Sequence, residues 1–139
     1  ARDAGGDRWA GWTVVDVRRD PRLGMIVTDG KGRVMYRFDK DRKRVTNCSG
    51  ACKKAWPPVT FTRWNKLRVT GVDRDLVNFI ERKDDGTCQL TIAGWPMYYF
   101  AKDQSPGETN GQGVQNVWWT VAPDGDRVTT APGSAAYGN

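Results

Sequence analysis

The sequence predicts a mainly β fold: two antiparallel β-meanders of one repeated pattern, packed in one domain as a sandwich or barrel-like body, with at most one or two short helices. Three observations carry this expectation. The chain has 139 residues, enough for a hydrophobic core of its own and too few for a multidomain assembly. Laid over itself at a constant shift of 62, Gly24 to Val59 matches Gly86 to Val121 at nine of 36 positions, five of them inside Met-Tyr-x-Phe-x-Lys-Asp. Turn dipeptides of the Asp-Gly type separate short runs of β-formers in both copies. The expected units are an internal repeat over 12–62 and a second over 74–124, with loosely held tails at 1–8 and 129–139.

In chain order, Trp12 to Arg18 alternates closely enough to form a first strand. Met25 to Thr28 and Arg33 to Phe38 then flank Asp29-Gly30-Lys31-Gly32, where glycine accepts the positive φ of a hairpin turn. A short helix is expected around Ser49 to Ala55, stopped by Pro57-Pro58, after which Trp56-Pro57-Pro58-Val59 opens a fourth extended piece. In the second copy Val77 to Lys83, Thr87 to Ile92 and Trp95 to Phe100 repeat the meander, and Trp118 to Val121 repeats the fourth piece. A helix over Asp73 to Lys83, capped by Asp73, competes with the strand there. The overlay on the valine-rich Gly11 to Pro21 favours the strand.

Composition narrows the chemistry. The chain has no His, which removes Ser-His-Asp and Cys-His catalysis and the usual imidazole-containing zinc sites. No cofactor and no metal site is expected. The net charge of +6 is unevenly spread: residues 1–70 hold 17 Lys and Arg against 7 Asp and Glu, and residues 71–139 hold 5 against 9. The basic excess gathers at Lys40-Asp41-Arg42-Lys43-Arg44 and Lys53-Lys54, a cluster that either is a solvated loop or attracts anionic polymers and membrane surfaces. No apolar run is long enough to span a bilayer as a helix. The opening Ala-Arg-Asp-Ala-Gly-Gly-Asp-Arg has no signal-peptide pattern and reads as a mature end or as a trimmed one with a disordered tail.

Cys48 and Cys52 are four apart, a spacing that brings Cα atoms to about 6 Å on a helical turn, within disulfide range. A loop this small gains only about 2 kcal/mol from the cross-link, enough to pin a basic loop. A redox-active or metal-binding pair is the rival reading. The overlay places Asn110 and Val114 at the two cysteine positions and Gly111-Gln112-Gly113 between them. Cys88 falls over Ile26, an in-facing strand position where a thiol acts as a small hydrophobe, with a bridge to another cysteine as the alternative.

Tyr36-Arg37-Phe38-Asp39-Lys40-Asp41 and Tyr98-Tyr99-Phe100-Ala101-Lys102-Asp103 each fit Tyr-x-aromatic-x-x-Asp. The first is followed by Cys48-Ser-Gly-Ala-Cys52 and Trp56-Pro-Pro, the second by Asn110-Gly-Gln-Gly113 and Trp118. With these motifs the chain resembles the bacterial secreted-repeat lipoprotein family of unknown function, from about Val14 to Gly125. The resemblance implies an exported, extracytoplasmic, envelope-associated protein and no established activity. Members resemble lipoproteins anchored through an N-terminal Cys, whereas here no Cys precedes Cys48, and Cys88 is unusual for the family.

Tyr36, Phe38, Asp41, Tyr98, Phe100 and Asp103 read first as repeated framework, aromatics in the core and each Asp fixing the following loop. The functional alternative makes Trp56, Trp95, Trp118 and Trp119 line a cleft with Asp41 and Asp103 at its mouth, in principle a carboxylate pair. The candidate binding residues are Arg42, Lys43, Arg44, Lys53, Lys54, Trp56 and Trp95, with no catalytic residue assigned. The preferred reading is a non-enzymatic binding or adhesion module that meets an anionic envelope polymer, a lipid surface or a protein partner. The alternative is an envelope redox or electron-transfer protein using Cys48 and Cys52. Nucleic acid fits less well, since no recognised binding motif accompanies the charge.

Overall fold

The computed structural model describes residues 11–129. The expected tails, 1–8 and 129–139, therefore lie outside the described residues except for Thr129. The fold is mainly β, in several small sheets with no closed barrel. Its strands are β1 (Thr13–Asp20), β2 (Gly24–Asp29), β3 (Tyr36–Phe38), β4 (Thr60–Phe61), β5 (Leu67–Val69), β6 (Val77–Glu81), β7 (Cys88–Ile92), β8 (Trp95–Pro96) and β9 (Trp118–Thr120). The short helix, α1, covers Ala51–Ala55, inside the segment where the prolines limit it. The competition over 73–83 resolves as a strand: Asp73 caps only a single 3-10 turn, Arg74–Leu76, and β6 follows at once.

Each repeat begins as the expected hairpin. β1 pairs antiparallel with β2, and β6 with β7. The next strand closes a meander, by the Thr28 to Val34 bridge in the first copy and by β7 with β8 in the second. The gapless shift of 62 needs correction here. The turn after β2 has three residues between Asp29 and Arg33, whose backbones hydrogen-bond at 2.9 Å, whereas only Ala93 and Gly94 separate Ile92 from Trp95. The loop before β7 is longer by one residue to compensate. β2 and β7 therefore correspond at a shift of 63, and Cys88 lies over the exposed Met25 rather than over Ile26. Cys88 is accordingly a free, half-buried thiol paired in register with Phe61 and Glu81, not an inward core residue.

The two repeats exchange their closing strands, a relation that sequence overlay does not reveal. β9, from the second copy, pairs with β3 of the first. Pro58 and β4, from the first copy, pair with Tyr98 and β7 of the second. The bonds are reciprocal: Val27 N–H donates to Val121 C=O at 2.9 Å and Leu90 N–H to Val59 C=O at 2.8 Å. At the centre, Tyr36 and Tyr98 exchange both backbone bonds, at 2.7 and 2.9 Å, so a pseudo-twofold axis passes between them.

The side chains follow the same axis. Phe38, Trp118, Trp56 and Phe100 form one four-ring stack with successive centroids 4.2, 3.8 and 4.0 Å apart, rings alternating between the repeats. Tyr36 meets Trp56 edge-on and Tyr98 meets Trp118 edge-on, at 5.4 and 5.2 Å. A second, aliphatic cluster also mixes the copies, with Val15, Val27, Met35 and Val59 against Val77, Leu90, Ile92, Met97 and Val121.

Because Trp118 is a central ring of the stack and only 1 % exposed, truncating it removes contacts to both repeats at once. Trp118→Ala is expected to cost about 3–5 kcal/mol. Urea unfolding of the two proteins measures this, and a loss below about 1 kcal/mol would contradict a shared core.

Candidate functional site

The repeated Tyr-x-Phe-x-x-Asp motif is completed across the axis. Tyr36 O–H donates to Asp103 Oδ2 at 2.5 Å, and Tyr98 O–H donates to Asp41 Oδ2 at 2.6 Å. The second oxygen of each carboxylate holds the loop that follows it. Asp41 Oδ1 accepts from Asn47 N–H at 2.6 Å, and Asp103 Oδ1 accepts from Asn110 N–H at 3.0 Å. Asn47 and Asn110 also donate their side-chain amides to Lys40 C=O and Lys102 C=O. Asn110 is therefore the counterpart of Asn47, which corrects its overlay on Cys48. Cys48 and Gly111 are the next pair: Thr46 Oγ1 stands beside Tyr98 O–H, and Gly111 N–H donates to the Tyr36 hydroxyl.

Asp41 and Asp103 are 3 % and 4 % exposed. Burial raises the pKa of both, pushing Asp41 up to about 6 against the opposing pull of the Tyr98 and Asn47 hydrogen bonds and the Arg82 charge. Burial and the facing carboxylates likewise raise Tyr36 and Tyr98 above the ordinary phenol range. The two carboxylates sit in separate Tyr-centred pockets, each occupied by loop-holding bonds.

The aromatic candidates are placed in the same framework. Trp56 and Trp118 lie inside the ring stack, 5 % and 1 % exposed. Trp119 is 7 % exposed and donates its indole N–H to Asp39 at 2.8 Å. Trp95 is half-buried beneath Arg37, whose guanidinium carbon is 3.8 Å from the ring centroid. Its symmetry mate is informative: Arg33 occupies the Trp95 position of the first copy and lies 4.4 Å over Tyr99, which occupies the Arg37 position of the second. The cation and the ring have changed places between two equivalent clamps, each spanning the repeats. The sequence signal for such a clamp was available only as an Arg facing an aromatic at exchanged overlay positions.

The basic candidates divide. Lys53 is ion-paired with Asp84 at 3.4 Å and with Asp85. Lys54 is exposed beside it on α1 with no ion pair among the described residues. Arg42, Lys43 and Arg44 project at a tight turn closed by Arg42 and Val45, whose backbones exchange bonds at 3.1 and 3.0 Å. All three are exposed and none has an ion-pair partner among the described residues.

That turn rests on the other repeat, through Arg44 N–H to Gly94 C=O at 2.6 Å and through Lys43, whose Cβ would stand 3.3 Å from a Cβ at Gly94. The second copy makes the same contact with Gly107 N–H to Gly32 C=O at 2.9 Å. Gly107 has φ +82, and Arg44 at the corresponding place has φ +64. The first copy thus puts arginine in a left-handed conformation that the second fills with glycine, at a cost of about 1–2 kcal/mol.

The loop beyond the turn is fixed twice. The expected disulfide joins Cys48 and Cys52, with Cα atoms 5.2 Å apart. Cys48 has no exposed surface and packs in the aromatic cluster. Arg82, 1 % exposed, reaches across from the second copy and was not recognisable as a site residue in sequence. It donates to Cys48 C=O at 2.7 Å, Gln89 Oε1 at 2.8 Å and Asp84 Oδ2 at 2.9 Å.

A family model described as a secreted repeat of unknown function matches residues 17–60 and 80–122, together more than half of the chain. No curated protein and no solved structure matches it.

The buried carboxylate gives a pH signature. Folded Asp41 binds its proton near pH 6 and the unfolded group near 3.8, so the folded state carries the extra proton between these values and this contribution to stability grows as pH falls. Between pH 7 and 4.5 the stability of the wild-type protein relative to Asp41→Asn is expected to rise by about 2 kcal/mol. Urea unfolding at the two pH values reads this, and a constant difference would place Asp41 in a normally titrating environment.

Proposed function

We propose that this member of the family of secreted repeats of unknown function, to which the chain belongs, is an extracytoplasmic, non-enzymatic binding module that holds anionic polymer on the Arg42-Lys43-Arg44 turn. The observation that carries this reading is Arg44 itself. A non-glycine residue held at φ +64, where the equivalent position is glycine, is a strained choice that framework does not require. Strain of this kind points to function when the residue is also exposed and charged. Here it presents a third cation beside Arg42 and Lys43, on a turn braced from below by Gly94 and followed by a cross-linked loop.

The charge distribution supports the same reading. The corresponding turn of the second copy, Gln104-Ser105-Pro106-Gly107, has no charged residue, so one end of the pseudo-twofold body is cationic where the other is neutral. Three cations on a braced turn, without ion-pair partners among the described residues, attract polyanions through a screened field and lose little conformational entropy on binding. The aromatic candidates Trp56 and Trp95 serve the framework in this reading rather than the ligand, since both are engaged in contacts between the repeats.

The test uses long-chain polyphosphate as the probe. Binding should weaken with salt, with a slope of log K against log salt on the order of −2 for three phosphate contacts. Arg42→Ala/Lys43→Ala/Arg44→Ala should abolish both binding and slope without unfolding the protein. Arg44→Gly separates charge from fold: affinity should drop several-fold while stability holds or rises by up to about 1 kcal/mol, as the left-handed strain is relieved. Binding that survives the triple substitution overturns the proposal.

A further inference from the structure

We propose that a second copy of this chain can take the place of one repeat, giving a reciprocally exchanged dimer in which the first repeat of each chain is completed by the second repeat of its partner. The argument is independent of what the basic turn binds. Every contact that closes the fold runs between repeats: Tyr36 to Asp103, Tyr98 to Asp41, β3 to β9, β4 to β7, and the alternating ring stack. Contacts of that kind do not depend on both repeats belonging to one chain. An exchanged dimer makes each of them with unchanged geometry and needs no new interface, which is the condition for low-cost domain swapping. The disulfide joins two residues of the same repeat, so it does not oppose the exchange.

The connection between the repeats identifies the hinge. β5 lies in the segment between the copies and pairs in parallel with β1, and Thr70 N–H donates to Val15 C=O at 2.9 Å, so residues as far as Thr70 stay with the first repeat. The 3-10 turn starting at Arg74 leads straight into β6 of the second. The connection that must open for exchange is thus the stretch 71–73. Within it Gly71 adopts φ +81, and a Cβ there would stand 2.4 Å from a methyl carbon of Val17. The closed, single-chain connection therefore depends on glycine at this position, whereas an extended hinge running to a partner does not. An exchanged dimer would also carry two Arg42-Lys43-Arg44 turns, doubling the points of attachment for a repeating ligand.

Size-exclusion chromatography with light scattering tests the proposal on three proteins. The wild-type chain is expected to be mostly monomer, with a minor dimer at high concentration that persists through dilution because its release requires unfolding. Gly71→Ala, which strains only the closed connection, should raise the dimer fraction about tenfold. Deleting Thr70 and Gly71 removes the Thr70 N–H bond to Val15 and displaces the buried Val72, but it leaves the named contacts between repeats in place and shortens the connection, and should yield dimer with the circular dichroism of the wild type. Monomeric Gly71→Ala with a native spectrum would overturn the proposal. So would a deletion protein that is unfolded or monomeric, or a dimer that falls apart promptly on dilution.

Discussion

The exchange of a tyrosine hydroxyl for the other repeat's aspartate is the interaction on which the rest of the fold depends. A buried carboxylate is costly unless it is hydrogen-bonded, and a buried phenol loses water it must replace. Tyr36 with Asp103 and Tyr98 with Asp41 meet both needs at once, but only when two repeats face each other. The second oxygen of each aspartate then holds Asn47 or Asn110, so one residue ties the partner's strand to its own loop. The motif spacing follows from this: the tyrosine lies in the strand at the axis, and the aspartate, five residues on, lies just past the strand end where it can reach both.

Symmetry makes the asymmetric features interpretable. The two cation-π clamps, Arg37 on Trp95 and Arg33 on Tyr99, keep the contact while reversing which repeat supplies the cation. Such a reversal preserves packing and charge, and so belongs to framework. The loops after Asp41 and Asp103 are different. One is cross-linked, carries three exposed cations and is gripped by Arg82; the other turns through Gly111 and Gly113 and is held by Gln112, whose side-chain oxygen accepts from Thr120 N–H at 2.8 Å. Arg82 has no counterpart across the axis, where Asp20 stands. Its buried guanidinium needs Gln89 and Asp84 as acceptors, and these too are found only in the second copy.

Much of this was legible in the sequence. Periodicity two and Asp-Gly turns locate β1, β2, β6 and β7, because strand formation and turn geometry are set by near neighbours. The repeat singled out the motif residues, which the fold buries at the axis, and a spacing of four pointed to the Cys48–Cys52 bond. The strand exchange was hidden, since an overlay shows that Trp118 resembles Trp56 but not which copy's Phe38 or Phe100 each ring packs against. The paired one-residue offsets were hidden for a related reason. A turn of three residues after β2 and two before β8 displaces β7 by one, and a compensating residue in the preceding loop restores the overlay beyond it. That displacement is what moved Cys88 from the core to a half-buried position, because one residue of slip in a strand exchanges its faces.

The separation of framework from loops also bears on how the basic turn can tolerate strain. Arg44 in a left-handed conformation opposes folding by about 1–2 kcal/mol, a large fraction of what a small domain has to spare. A turn standing alone would relax by moving its backbone. Here the Arg44 N–H is bonded to Gly94, Arg42 and Val45 close the turn behind it, and Asp41 and Asn47 hold its two ends through a buried carboxylate. The strain is thus carried by bonds within the first repeat together with the Arg44 bond to Gly94 of the second, and these would have to break before the turn could relax. The cations consequently share one backbone arrangement, so a polyanion bound there as proposed would not have to order the turn. The tyrosine and aspartate exchange at the axis is, on this view, what allows a costly arginine to remain in place at the surface.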